Sequence, residues 1–117
     1  MHAPRSLPLL LTLVLSAVYL YVGTRPENPA LFRDVNDKVL HASSYAVLGF
    51  AAGSGAYALG LTPAPLIGWG YAVGHGALLE VAQHFAPPRT AEVGDVLADA
   101  AGAALGAVVL LLWRRRR

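Results

Sequence analysis

The residues able to do chemistry in this chain are few and gathered. Every aspartate and glutamate lies in or beside two stretches, residues 24–41 and 80–99. Asp37, Lys38 and His41 stand in the first, with Tyr45 a turn further on; Glu80, Gln83, His84, Arg89, Asp95 and Asp99 stand in the second. These types offer imidazole and carboxylates for general acid–base work, cations for anion binding, and acceptors for hydroxyl groups. At about 100° per residue, Asp95, Asp99, Gly102 and Gly106 share one stripe of a helix and Asp37, His41 and Ser44 share another. Glu80 and His84 are one turn apart, with Gln83 beside them.

Plainer roles exist for most of these residues. Asp37 and Asp95 fall at helix starts, where a carboxylate caps N–H groups and suits the dipole. Lys38 and Arg89 can snorkel to headgroups. Tyr45 and Trp69 read as packing or interface residues, and His75, about 140° from Glu80 on the helical wheel, as a neutral packed histidine. Glu80 and Asp99 resist such readings. Each sits a turn or more inside an apolar segment, where an ionised carboxylate needs a cation, several donors or a proton. Arg89, Lys38 and His41 are the partners expected for them. A salt-bridge network that fixes helix register is the structural alternative to a ligand site.

The elements that must position these groups follow from composition. The chain is 117 residues long, 56% hydrophobic and 14% charged, against roughly 25% charged in soluble domains, and its mean hydropathy is +0.50. Apolar segments run from about 7–22, 39–61, 66–85 and 93–113. They are separated by Pro26 and Pro29, by Thr62, Pro63 and Pro65, and by Pro87 and Pro88. The expected fold is all-α: a single domain of four transmembrane helices, packed up and down with short loops. That topology brings residues 37–41 and 80–99 to one side of a bilayer. Tyr19, Tyr21 and Arg25 stand at the end of the first segment, where a small-x-small cleavage site would be needed, so it reads as a retained helix. Gly49/Gly53, Gly70/Gly74 and Gly102/Gly106 are small pairs at spacing four, suited to close helix packing. The run Arg114–Arg117, with Arg5, argues that both termini are cytoplasmic and that the polar cluster faces outward. Absence of cysteine excludes disulfides, thiolate catalysis and cysteine metal sites. No basic patch lies outside the juxtamembrane tail, which excludes nucleic acid as a partner.

Three motifs occur in order with apolar spans between them: Asp37-Lys38-x-x-His41 followed by Tyr45; Glu80-x-x-Gln83; and Pro88-Arg89 ahead of Asp95 and the small-residue segment Asp99 to Gly106. Together they resemble the VanZ-like family of small bacterial membrane proteins, over about residues 34–106. The resemblance implies a multi-helix protein of the bacterial cell membrane, in a family whose founding member is linked to low-level teicoplanin resistance. The family usually carries Asn where this chain has Asp99, so an extra acid stands beside the expected Arg89 pairing.

Several functions fit these residues. One is an envelope protein whose outer cluster engages an anionic or sugar-bearing lipid headgroup, such as a lipid-linked precursor. In that reading Lys38, Arg89 and His41 donate, and Glu80, Gln83 and Asp95 orient them. Another is a membrane hydrolase or transferase with His41 or Glu80 as base and Arg89 stabilising developing charge; no serine-nucleophile motif, His-Glu-x-x-His or phosphate loop accompanies it. A third is a proton-linked carrier using Glu80 and Asp99. His41, His84, Glu80 and Asp37 are ligand types for zinc. Without a dense histidine motif, no metal or cofactor is assigned.

Overall fold

A computed structural model describes residues 3–117. Four α-helices and one short 3-10 turn account for its regular structure, and there are no strands among the described residues: α1 is Ser6–Gly23, α2 Asp37–Ala58, α3 Ala64–His84 and α4 Val93–Arg115, with the 3-10 turn at Ala30–Phe32. The boundaries follow local chemistry. Asn36 caps α2 by accepting from the Lys38 and Val39 N–H groups, which is the task expected of Asp37. The acid instead sits inside the first turn, with its side chain free for other partners. Pro65 occupies the first turn of α3, where its missing N–H costs nothing. Gly60 takes φ +71° to end α2.

At about 1.5 Å per residue, helices of this length reach about 27–35 Å, against roughly 30 Å of bilayer hydrocarbon. α1 and α4 are long and apolar enough to cross a membrane. α2 and α3 have the length, but glycine, serine, histidine and charge dilute their apolar character.

The interior is small and the exterior is greasy. Tyr45, Leu48, Ala72, Leu79 and Ala103 form the buried core, while Leu10, Leu13, Val47, Leu66, Leu78, Val81, Leu97, Leu105 and Leu112 point outward. Close packing rests on glycine. A Cβ at Gly102 or Gly106 would run into the carbonyl oxygens of Ala42 and Ala46 on α2, and one at Gly68 would run into the α2 backbone at Gly49 and Gly53. The expected pair Gly70/Gly74 plays no such part. Both face open space, and the close-approach residues of α3 are Gly68 and Gly76 instead. α2 is the central helix, packing most extensively on α4 and then on α3, with α1 laid against α2.

Candidate functional site

Both polar loops meet at one end of the bundle. Lys38 at the start of α2 donates to Glu92, just before α4, at 2.8 Å. Arg89, between α3 and α4, reaches the end of α1. His41 and Glu80, on different helices, therefore belong to the same polar end, and their ligand atoms come within 4.8 Å of each other and of Asp99.

His41 is the hub. Its Nδ1 lies 2.7 Å from Asp99 Oδ1, and its Nε2 faces Asp95 Oδ2 at 3.6 Å and Asp37 Oδ2 at 3.9 Å. One helical turn separates Asp95 from Asp99, which is why a single imidazole meets both. Below it the Tyr45 ring stacks parallel at 6.3 Å, and the Tyr45 hydroxyl lies 2.8 Å from His75 Nδ1. The other His75 nitrogen is 2.9 Å from the Ser16 carbonyl. A carbonyl can only accept, so Nε2 donates, and a neutral ring then accepts from Tyr45. His75 is thus a fully satisfied packing residue, joined to the hub through Tyr45.

Lys38 does not merely snorkel. Its ammonium bonds the buried Asp95 as well as Glu92, and these bonds hold it protonated well above the ordinary lysine range. Asp37 is shifted the other way for an acid: partial burial, and next the Asp95 charge, push its carboxyl upward. Asp95 does no side-chain capping; its carboxylate is spent on Lys38 and faces His41.

Arg89 departs most from expectation. It pairs with neither Glu80 nor Asp95. Its Nε donates to the Arg25 carbonyl at 2.6 Å, and its Nη2 to Asn28 Oδ1 at 2.8 Å and to the Val22 carbonyl at 3.4 Å. The C-terminal carbonyls of a helix are unsatisfied and carry the negative end of its dipole, so they compete well for a guanidinium. Glu80 finds an N–H instead of a cation: its Oε2 accepts from the Glu92 backbone at 2.7 Å. Gln83 donates to the Gly23 carbonyl at 3.0 Å. His84 stays outside the cluster, exposed, with its ring edge against Phe85. Trp69 donates to the Ala100 carbonyl across the α3–α4 contact.

Glu92 and Gly76 were not among the expected site residues. Glu92 lies in the second acidic stretch, and that was the signal available for it. Gly76 makes room for Asp99, since a Cβ there would sit 2.5 Å from Asp99 Oδ2.

Two cavities adjoin at this end. A cleft of about 470 Å³ between α1 and α2 is walled by Val18, Val22, Phe32, Leu40, Val47 and Leu79. A polar cleft of about 230 Å³ is lined by Asp37, His41, Gln83, Arg89, Thr90, Glu92 and Asp95. Asp37, His41, Gln83 and Arg89 line both. Two triads have the donor types of a metal site: Asp37–His41–Asp95, and His41–Glu80–Asp99.

Comparison of the chain with family models, with curated proteins and with solved structures gives no match.

Proposed function

We propose that this is a VanZ-like integral protein of the bacterial cell membrane, crossing the bilayer four times. In this reading it holds an amphiphile, of the class of lipid-linked envelope precursors, at its outward polar end. The observation that carries the reading is the pair of adjoining cavities: an apolar cleft lies against a polar one, and the two share Asp37, His41, Gln83 and Arg89. A lipid needs that division, a greasy slot for its chain beside hydrogen-bonding groups for its head. Large apolar side chains exposed on all four helices support the membrane setting. Arg114 over Tyr57 at 3.7 Å and Arg117 over Trp113 at 4.6 Å form a basic and aromatic rim at the far end of α4, as expected of a cytoplasmic boundary.

Native mass spectrometry of protein purified in mild detergent tests this. Val47 is half exposed and forms part of the apolar wall, so Val47→Trp fills the slot without touching the polar groups. Bound lipid should fall at least about tenfold with the melting temperature unchanged. Equal lipid occupancy in both proteins would reject the reading. The same variant should lose any teicoplanin phenotype that expression of the wild-type chain confers.

A hydrolase or transferase acting on the same lipid is the second reading, favoured by one observation. His41 is held at Nδ1 by the buried Asp99 and turns Nε2 toward the cleft, the posture of a general base. Turnover of a lipid-linked substrate that disappears in His41→Gln, with lipid still bound, would select it.

A further inference from the structure

The polar end carries more acceptors than its cations can serve. Asp37, Glu80, Glu92, Asp95 and Asp99 converge there, and among the described residues Lys38 is the one ammonium set beside them. Arg89 lines the cleft but turns its Nε and Nη2 to carbonyls and Asn28. Three buried side-chain atoms at this end have no partner among the described residues: Glu80 Oε1, Gln83 Oε1 and Asp99 Oδ2. Their side chains are shielded, with Glu80 8%, Gln83 4% and Asp99 0% exposed. All three atoms are acceptors. Buried polar groups are rarely left unpaired, and a deficit confined to acceptors marks this end as one that favours protons, water or a cation.

The geometry beside His41 offers a cation a place next to this deficit. Nε2 is 3.6 Å from Asp95 Oδ2 and 3.9 Å from Asp37 Oδ2, too far for hydrogen bonds. A tetrahedral ion with bonds of about 2.1 Å separates its ligand atoms by about 3.4 Å, and both carboxylate oxygens stand within about 0.5 Å of that spacing from Nε2, with all three ligand atoms within 4.8 Å of one another. The opposite nitrogen, Nδ1, is fixed by Asp99 at 2.7 Å. Metal-binding imidazoles are oriented in this way, their far nitrogen held by a carboxylate that also raises ligand basicity. Lys38 occupies Asp95 Oδ1 and leaves Oδ2 toward His41. The triad opens on the polar cleft, which Gln83 also lines.

We propose that Asp37, His41 and Asp95 bind one divalent transition ion, of the Zn²⁺ or Mn²⁺ class, with Asp99 as the positioning carboxylate behind His41. One imidazole with two carboxylates and no thiolate suits these ions. Three protein ligands leave a coordination position facing the cleft. If the lipid reading above holds, that position lets an acid-lined cleft accept a phosphate headgroup; ion binding itself does not depend on it.

Equilibrium dialysis of the purified full chain in detergent, against Zn²⁺ and separately against Mn²⁺, should give one ion per chain. Affinity should fall at least about tenfold in His41→Ala and in Asp95→Asn, and about 10–100-fold in Asp99→Asn with the stoichiometry kept. Asp37 is exposed and peripheral, so Asp37→Asn serves where a core variant fails to fold. Pulsed electron paramagnetic resonance of the Mn²⁺ form should show ¹⁴N coupling, lost in His41→Ala, which a merely structural role for His41 does not produce. Absence of a stoichiometric ion, ¹⁴N coupling unaltered by His41→Ala, or affinity unchanged in both Asp37→Asn and Asp95→Asn would overturn the assignment. Val47→Trp should still bind the ion, so failure of the lipid reading and failure of this one are separable.

Discussion

At the scale of single residues, main-chain atoms decide as much as side-chain partners. Arg89 sits among carboxylates yet binds the carbonyls of Val22 and Arg25 and the Asn28 amide oxygen. Arg89→Gln strips a charged donor from these acceptors and should lower stability by about 1–3 kcal/mol. Arg89→Lys should recover little of it, because an ammonium cannot span three acceptors in the guanidinium's fixed geometry. Thermal melting of the purified variants checks both; full rescue by lysine would show that charge alone matters there. The carboxylate stripe of Asp95 and Asp99 was legible beforehand, since it needs only the helical repeat. The choice made by Arg89 was not, because a carbonyl at a helix end leaves no mark in residue type. Asn36 displaced Asp37 as cap for a related reason: both are good caps, and the phase of the first turn selects between them.

At the scale of elements, glycine position sets how near two helices come. Gly102 and Gly106 put α4 directly on the α2 carbonyls. Gly102→Ala or Gly106→Ala should force the pair apart and cost about 1–3 kcal/mol. Gly74→Ala meets open space and should be neutral, or stabilising by up to about 1 kcal/mol through helix propensity. Denaturation in mixed micelles would show the contrast, and equal loss in all three would contradict the packing described. Spacing four identified the pairs on α2 and α4 correctly and misidentified the pair on α3, where Gly70 and Gly74 look outward. A small-residue motif carries no information on which face meets a partner; only the neighbour's surface does. Prolines, by contrast, placed the helix breaks within a few residues, because a missing N–H acts locally.

For the whole molecule, the distribution of apolar surface is the governing fact. The fold is 44 Å long and 24 × 22 Å across, close to the full thickness of a bilayer with its headgroups, roughly 40–45 Å. The helical count and the convergence of both acidic stretches could be read from hydropathy and loop order. The two cavities could not: the apolar one depends on how α1 leans on α2, and the polar one on how Pro26 and the stretch from Pro88 to Glu92 close over the start of α2. The chain has no cysteine, so single cysteines report topology cleanly. Asn28→Cys and Thr90→Cys should react with an impermeant maleimide from one side of intact cells, and Thr62→Cys and Arg116→Cys only after permeabilisation. Labelling of Asn28→Cys and Thr90→Cys from opposite sides would remove the basis for a common site.

α1 is fastened differently from the other three helices. It buries only Thr12, and it is tied down at points: Tyr19 to the Ser44 carbonyl, Ser16 through His75, and its last turn through Gln83 and Arg89. Studs of this kind let go one at a time, whereas interlocked backbones separate all at once. Amide hydrogen exchange should therefore run fastest along α1 and slowest where α2 and α4 interlock. The apolar cleft would then have one wall that loosens while the other three helices stay clasped.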